Sequence, residues 1–258
     1  MEKTLWDWAN EYVDTPEMNN TIIKEFTNGT NSIQEIKAHR DFIENAQNKF
    51  GIILGHGDRS LQYLWKLLVD EMPKEFNFLE IGVYKGQILS LIELLSEMSE
   101  RKPKIVGITP LYDKPFGDYD RLPFIKKIYE KFNLNLSNTT IFDGLSQNTE
   151  IMKKAKFLAT YDMIYIDGDH SYNATVSDIK NYSKMIKNKG FLIIDDCCNY
   201  KNHATGVFRG LLDVSNAVKD TVEYDSEFKE LVTCMHVRIW QRVKNLDEVS
   251  GDDFWNQI

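Results

Sequence analysis

Short apolar runs and amphipathic segments alternate along the chain from about residue 76 onward. A short apolar run between turn residues is typical of a strand buried on both faces, whereas apolar positions three to four residues apart indicate a helix. We predict five strands, at residues 76–82, 104–109, 139–143, 161–167 and 191–196. Helices are predicted between them at residues 86–99, 122–132 and 147–158, with a fourth on the stripe Val176, Ile179, Ser183 and Ile186 that ends at Lys189-Gly190.

This alternation predicts an α/β fold with a doubly wound, mostly parallel sheet, because parallel neighbours need a crossover that is normally a right-handed helix. After a helix near residues 206–216, residues 218–224 and 233–242 are predicted to form a C-terminal antiparallel strand pair. Helices are also expected before residue 70, where Asp58 or Ser60 is a candidate cap. One apolar stripe there consists of Leu61, Leu64, Trp65, Leu68 and Met72. We therefore expect an N-terminal helical extension (1–57), as part of the same domain or a lid, and a main domain (58–258).

The composition narrows the class of protein. The 258 residues are 42% hydrophobic and 27% charged, which is the balance of a globular protein. With 31 basic and 39 acidic residues the net charge is −8, which argues against a nucleic-acid binder and a polybasic membrane anchor. No apolar run approaches the ~18 residues of a membrane helix, and the N-terminus does not resemble a signal peptide. We expect a cytoplasmic protein whose three cysteines are reduced.

The first predicted strand ends in the pattern E-x-G-x-x-x-G, formed by Glu80, Gly82 and Gly86. In open α/β sheets, ligands bind beyond the carboxyl ends of the strands, and glycines there let the backbone approach a ligand closely. The pattern differs from G-x-G-x-x-G, so a pyrophosphate cradle is less favoured. The alternative interpretation is a simple turn into a helix.

Several acids follow the fourth and fifth predicted strands. The fourth ends in Asp167-Gly168-Asp169-His170, and the fifth ends in Asp195-Asp196. Clustered carboxylates repel one another unless a cation neutralises them, and oxygen ligands favour Mg²⁺, Mn²⁺ or Ca²⁺ over zinc. The alternative is that Asp167, Asp169 and Asp196 cap turns and helices. His170 is a candidate general base or a hydrogen-bonded support for the acids.

The remaining histidines carry less information at this stage. His39, His56 and His236 have no partner that the sequence identifies, and we expect structural roles for them. His203 is expected at the surface or in a substrate loop, and residues 113–121 are expected to form a mobile loop beside the site.

The segment Phe78-Leu79-Glu80-Ile81-Gly82-Val83-Tyr84-Lys85-Gly86 resembles the first motif of Rossmann-like, class I S-adenosylmethionine-dependent methyltransferases. The segment from Asp167 to Tyr172, together with Asp178-Ile179 and residues 190–196, is similar to the metal-dependent O-methyltransferases of the macrocin and antibiotic-sugar type. The likeness runs from about residue 58 to 215. The first motif is common to methyltransferases in general, and the second stretch is more specific.

The resemblance implies roles for individual residues. The residues implied to bind S-adenosylmethionine are Glu80, Gly82, Tyr84, Gly86, Thr109, Asp143 and Asp167. Asp167, Asp195 and Asp196 are implied to hold a divalent metal, with Mg²⁺ as the expected ion. Either Asp169 or His170 is implied to be the base. One position departs from the family, since Thr109 stands where an acid usually binds the ribose, and Asp113 is a candidate substitute.

These observations predict a metal-assisted O-methyltransferase that acts on a hydroxyl of a sugar, glycoside or other polar small molecule, such as a capsule or natural-product precursor. The expected partner is this small-molecule acceptor, with no nucleic acid or membrane and a possible second copy of the chain. Two alternatives stay open. One is a metal-dependent nucleotide-sugar glycosyltransferase, because Asp167-Gly168-Asp169 resembles a D-x-D site. The other is a non-catalytic scaffold with a methyltransferase fold.

Overall fold

A single seven-stranded sheet organises the computed structural model, which describes residues 3–112, 120–201 and 207–243. In chain order the strands are β1 (Glu75–Ile81), β2 (Lys102–Thr109), β3 (Thr139–Asp143), β4 (Tyr161–Ile166), β5 (Ile186–Ile194), β6 (Phe228–Cys234) and β7 (Val237–Arg242). Their spatial order is β3-β2-β1-β4-β5-β7-β6. Strands β1 to β5 are parallel, and β7 runs antiparallel to both of its neighbours. The predicted fold class is confirmed.

Nine α-helices are found among the described residues. They are α1 (Leu5–Glu11), α2 (Pro16–Ser32), α3 (Gln34–Phe50), α4 (Arg59–Asp70), α5 (Gln87–Met98), α6 (Leu122–Lys131), α7 (Thr149–Leu158), α8 (Tyr172–Tyr182) and α9 (Leu212–Lys219). Short 3₁₀ turns precede β3 and β5. No helix in the described residues is long and apolar enough to cross a membrane.

The two faces of the sheet are buried in separate apolar clusters. Successive side chains of a strand point to opposite faces. Accordingly Phe78 belongs to the cluster that contains residues of α1, α2, α4 and α5, whereas the adjacent Leu79 belongs to the cluster with residues of α7, α8 and α9. Both side chains have no solvent exposure. Because both faces are covered, the parallel strands read as continuous apolar runs in the sequence.

The N-terminal helices pack on the same face as α4. The predicted stripe of α4 is buried, and Asp58 caps the helix by accepting a hydrogen bond from the Ser60 N–H at 2.9 Å. A series of aromatic contacts joins α1, α2 and α4, with ring centroids of Trp8 and Phe26 5.3 Å apart and those of Phe26 and Tyr63 5.5 Å apart. The division of the chain at residues 57 and 58 stays a prediction.

The end of α8 and the start of β5 differ from the prediction. Helix α8 ends at Tyr182, and Ile186 already pairs with Tyr161 as a strand residue. The next pair is Met163 with Phe191, so residues 187–190 form an irregularity within β5. A Cβ on Gly190 would lie 2.9 Å from the carbonyl oxygen of Asp162, which explains the glycine without a helix cap. The predicted helix stop at Lys189-Gly190 was wrong.

The C-terminal strand pair is present, but its boundaries were predicted incorrectly. Residues 218–219 end α9, and the turns that follow replace the predicted strand at 218–224. The predicted strand at 233–242 contains the end of β6, a turn at Met235 and His236, and β7. Met235 has φ of 56° in this turn. Hairpin turns usually contain Gly or Asn. This turn contains neither, so the apolar pattern of the segment gave no indication of it.

Candidate active site

The chain order reverses between β1 and β4, and this is where an open α/β sheet forms a ligand crevice beyond its strand ends. The turn after β1, the loop after β4 and the loop after β5 all leave the sheet at this edge. These loops carry the glycines and acids that the sequence singled out.

Gly82 allows two of these loops to touch. Its φ is 94°, and a Cβ there would lie 1.8 Å from the carbonyl oxygen of Asp167. Gly86 has φ of 85° and begins α5, where a Cβ would lie 3.0 Å from Ile125. Gly82 therefore allows the turn after β1 to approach the loop after β4. Gly86 allows the start of α5 to pack against α6.

Glu80 is a buried acid beside this turn. Its residue exposure is 3%, and one carboxyl oxygen, Oε2, has no hydrogen-bond partner among the described residues. Burial, and then the nearby Asp167, raise the pKa of Glu80 well above its usual range. A buried acceptor without a partner is unfavourable in the free protein and suits a ligand that brings a hydrogen-bond donor or a positive charge.

The segment of residues 51–57, between α3 and α4, lies against the same turn. The Lys85 ammonium donates to the carbonyl of Ile53 at 2.6 Å, and the His56 ring lies 5.5 Å from the ring of Tyr84. From α3, Arg40 donates to the carbonyl of His56 at 3.2 Å. The N-terminal extension thus contributes a wall beside Tyr84, which the sequence did not indicate.

The end of β2 carries a buried arginine contact. Arg121 has 6% exposure and donates to the hydroxyl of Thr109 at 2.8 Å and to the carbonyl of Val83 at 3.1 Å. Asp143, at the end of β3, accepts a hydrogen bond from the Leu111 N–H at 2.9 Å. Arg121 was missed in the sequence because it follows a loop with no motif. The candidate Asp113 lies outside the described residues.

Asp195 and Asp196 are held firmly at the end of β5. The Tyr165 hydroxyl donates to Asp195 Oδ2 at 2.6 Å, and the Asp196 N–H donates to Asp195 Oδ1 at 2.9 Å. Asp196 has φ of 52°, and its carbonyl accepts the Leu211 N–H at 2.9 Å. Each side chain is 14% exposed. Burial and the neighbouring Asp195 raise the pKa of Asp196.

His170 joins the acids of the two loops. Its Nε2 lies 3.3 Å from Asp167 Oδ1 and 3.7 Å from Asp196 Oδ2, and 43% of the side chain is exposed. The hydrogen bond to Asp167 is the main cause that raises the pKa of His170 to about 9. Burial and Asp195 raise the pKa of Asp167 in turn. The histidine is therefore within reach of both solvent and the acid cluster.

Asp169 makes a different contact from its neighbour. Its Oδ1 accepts the Ser171 N–H at 2.8 Å, at the turn that begins α8. This is the turn-capping role that the sequence kept as an alternative. The two candidates for the base thus differ in their surroundings, because His170 contacts the acids and Asp169 caps a turn.

His236 completes the cluster, although the sequence gave it a structural role. One ligand atom each of Asp195, Asp196 and His236 lie within 4.8 Å of one another. His236 is buried, and the partly exposed Phe208 ring packs 5.2 Å from its imidazole ring. His236 was missed because it lies in the turn hidden inside the predicted strand.

The donor set of this edge fits a divalent cation. Asp195 and Asp196 supply carboxylate oxygens. Asp167 is linked to them because it shares contacts with His170 and with the Tyr165 hydroxyl. Among the described residues, no lysine or arginine forms an ion pair with these three acids. Carboxylate oxygens with one imidazole are a common set for divalent metals. The turn after β1 with the buried Glu80 fits a ligand that carries donors or positive charge, whereas Thr109 does not supply the acid expected at a ribose.

Part of the chain is similar to a known family of domains. Residues 79–197 match a family described as "Methyltransferase domain". Among curated relatives, the uncharacterized protein R132 of Acanthamoeba polyphaga mimivirus is 31% identical over 129 residues, which are 49% of this chain and 54% of R132. The chain therefore spans about half the length of this relative.

Two solved structures illustrate the similarity in fold. An O-methyltransferase from Bacillus cereus, determined in complex with SAH, has a TM-score of 0.55 and 14% identity, over 80% of this chain and 91% of that one. CalS11, a TDP-rhamnose 3'-O-methyltransferase of calicheamicin biosynthesis, has a TM-score of 0.52 and 14% identity, over 89% and 96% of the two chains. Residues 79–197 are therefore similar to a methyltransferase domain, and the described part of the chain shares its fold with solved O-methyltransferases.

Proposed function

We propose that this protein is an S-adenosylmethionine-dependent, divalent-metal-assisted O-methyltransferase that acts on a hydroxyl of a sugar, glycoside or other polar small molecule. The observation that carries the proposal is the cluster of Asp167, His170, Asp195 and Asp196 at the switch point of the sheet, beside the Gly82–Gly86 turn. The cluster offers carboxylates that suit a cation, with a histidine beside them. A proton acceptor and a cation that stabilises the developing alkoxide would both assist methyl transfer to an alcohol.

The reaction places specific demands on the residues of this edge. The methyl group of a sulfonium is already electrophilic, so the protein must position an oxygen nucleophile in line with it and remove the hydroxyl proton. A divalent ion held by Asp195 and Asp196, with Asp167 as the third predicted ligand, would supply electrostatic stabilisation of the developing alkoxide. Glu80 and the turn after β1 are proposed to bind the donor, with Tyr84, Thr109 and Asp143 along its length.

His170 is proposed as the residue that takes the proton. It is partly exposed, so an acceptor can approach it, and it contacts both Asp167 and Asp196. In the free protein this pairing favours the protonated imidazolium, and a bound cation at the acids would oppose that effect because like charges repel. Asp169 stays in the turn that begins α8 and supports the backbone beside His170.

The acceptor class draws support from the edge of the site. Phe208 is 53% exposed and packs on His236, which places an aromatic surface beside the acids. Such a surface suits a ring with an apolar face, and sugars and aromatic diols both have one. CalS11 is named for methylation of a sugar hydroxyl, and this supports a sugar over an aromatic diol as the acceptor.

The glycosyltransferase alternative has less support. A D-x-D site would use both Asp167 and Asp169, yet the Asp169 carboxylate accepts a hydrogen bond in the turn of α8. The match to a methyltransferase domain also covers this segment. The scaffold alternative predicts no methyl transfer, so only an activity assay tests it.

The direct experiment is a transfer assay with S-adenosylmethionine that carries a deuterated methyl group. The purified chain is incubated with Mg²⁺ and a panel of nucleotide sugars, glycosides and catechols, and products are read by mass spectrometry. We expect one labelled methyl on a hydroxyl of a panel member, and loss of the product in EDTA. Product that persists in EDTA excludes the role of the metal.

Asp196→Asn sharpens the same assay. Removal of one carboxylate from the cluster should lower turnover by roughly 10²-fold or more, a loss comparable to removing one preorganised charge-stabilising group. Asp213→Asn, on the first turn of α9, is the control because its carboxylate lies outside the cluster. Equal activity of the two variants would contradict the role of Asp196.

A further inference from the structure

His236 has surroundings that are unusual for a structural histidine. Its side chain is 8% exposed, and its Nδ1 has no hydrogen-bond partner among the described residues. Nε2 lies 3.2 Å from Asp195 Oδ1, which is within ion-pair distance. Buried polar atoms are normally hydrogen-bonded, because leaving one without a partner is unfavourable.

The fold fixes this side chain beside the acids. His236 lies in the turn between β6 and β7, where Met235 has φ of 56°. The carbonyl of His236 accepts the Cys197 N–H at 3.0 Å, which ties the turn to the residue that follows Asp196. Phe208 packs on the ring at 5.2 Å. The imidazole is therefore held at the site by its own backbone and by its neighbour.

The separations match a shared ion. Metal bonds of roughly 2.0–2.2 Å to nitrogen and oxygen place neighbouring ligand atoms about 3 Å apart and opposite ones about 4 Å apart. One ligand atom each of Asp195, Asp196 and His236 lie within 4.8 Å of one another, and His236 Nε2 is 3.2 Å from Asp195 Oδ1. A carboxylate oxygen and an imidazole nitrogen at this distance are close enough to bind one cation together.

We propose that His236 is a metal ligand, so that the ion is held by a mixed set of carboxylate oxygens and one imidazole nitrogen. Imidazole suits iron, cobalt, nickel and zinc, whereas sites built of carboxylate and water alone suit Mg²⁺. The site should therefore bind a first-row transition ion more tightly than Mg²⁺, even though Mg²⁺ can occupy it. The proposal rests on the metal site of the proposed function, but it requires neither the methyl donor nor turnover.

Metal titration of the free protein tests this without activity. The full chain, stripped of metal, is titrated with Co²⁺ and separately with Mg²⁺ by calorimetry in the absence of S-adenosylmethionine. We expect Co²⁺ to bind about tenfold or more tightly than Mg²⁺. His236→Phe keeps an aromatic ring against Phe208, and it should lower Co²⁺ affinity about tenfold or more while changing Mg²⁺ affinity less. Equal affinity of the wild-type protein for the two ions overturns the proposal.

Proton NMR of the Co²⁺ complex identifies the nitrogen ligand directly. A coordinated imidazole gives a strongly shifted, exchangeable N–H signal, and we expect this signal in the wild-type protein and in His170→Gln. His170 is the matched control because it contacts Asp167 and Asp196 yet lies outside the three-residue group. Absence of the signal in the wild-type complex, or its loss in His170→Gln, overturns the proposal even where His236→Phe fails to fold.

The outcomes of these experiments distinguish a failure of this inference from a failure of the proposed function. A protein that binds Co²⁺ through His236 and transfers no methyl group supports this inference and contradicts the proposed function. A protein that transfers methyl groups with Mg²⁺ and shows no imidazole signal does the reverse.

Discussion

At the residue scale, neighbouring side chains in one short loop have separate tasks. His170 and Asp169 are adjacent, but the first lies 3.3 Å from Asp167 and the second accepts the Ser171 N–H. The resemblance alone offered either residue as the base. The contacts favour His170. A general base must reach the hydroxyl of the substrate, and it must also contact the groups that stabilise its protonated form.

Two substitutions separate these tasks. His170→Gln removes the proposed base and should lower kcat by about 10²–10⁴-fold. Asp169→Asn keeps an oxygen that can accept the Ser171 N–H, so kcat should fall less than about tenfold on the same scale. Steady-state kinetics on the substrate found in the transfer assay give both values. A larger loss for Asp169→Asn than for His170→Gln would assign the base to Asp169.

At the scale of elements, the site depends on loops that approach each other closely. Gly82, in the turn after β1, faces the backbone of the β4 loop, so the position of the acids is linked to the position of the glycine turn. The sequence pattern E-x-G-x-x-x-G predicted this turn and its strand. It did not predict that the space left by Gly82 is filled by the Asp167 backbone.

Gly82→Ala tests this close approach. The new Cβ would lie 1.8 Å from the Asp167 carbonyl oxygen at φ of 94°, so backbone atoms must move. Gly51→Ala is the matched control, since its φ is 65° and, its chain neighbours aside, no atom of the described residues would lie within 4 Å of its Cβ. The control should cost about 1–2 kcal/mol of unfolding free energy, and Gly82→Ala clearly more. Denaturant unfolding measures both, and equal losses would contradict the packing argument.

Other elements show where sequence patterns reach their limit. Strands β1 to β4 lie within two residues of their predictions, because a strand buried on both faces is an apolar run with clear ends. The β6–β7 hairpin was misplaced since its turn, Met235 and His236, contains no turn-forming residue. That error also hid the position of His236 beside Asp195 and Asp196. Arg121 was missed for a similar reason, since its contacts with Thr109 and Val83 depend on tertiary structure.

At the scale of the whole molecule, the N-terminal helices and the sheet domain share buried polar contacts. His39 of α3 has no solvent exposure, and its Nε2 lies 2.9 Å from the hydroxyl of Ser90 in α5. Burial lowers the pKa of His39 to about 3. The contact joins the helical extension to the domain, so its titration reports whether the two unfold together.

The sign of this effect follows from the two pKa values. Below pH ~6.5 the unfolded chain binds a proton at His39 and the folded protein does not, so stability decreases as the pH falls. Between pH 7 and pH 5, protonation of His39 in the unfolded chain should lower the free energy of unfolding by about 2 kcal/mol. The difference in unfolding free energy between the wild-type protein and His39→Gln should shift by that amount. A shift near zero in global unfolding would indicate that the extension opens separately from the domain.

The net charge of −8 also has a structural meaning at this scale. Part of the acidic excess, Glu80, Asp167, Asp195 and Asp196, is gathered at one edge of the sheet. This edge suits a positively charged donor and a divalent cation, and both would relieve the repulsion among these acids. Binding of either one should therefore stabilise the fold.

Calorimetric titration with S-adenosylhomocysteine, with and without Mg²⁺, measures whether this edge of the sheet binds the methyl donor. We predict saturable binding to one site per chain, with an affinity that Gly82→Ala weakens and that Asp196→Asn changes by no more than a few-fold. Absence of S-adenosylhomocysteine binding to the folded wild-type protein, under both conditions, would contradict the assignment of this edge as a methyl-donor site.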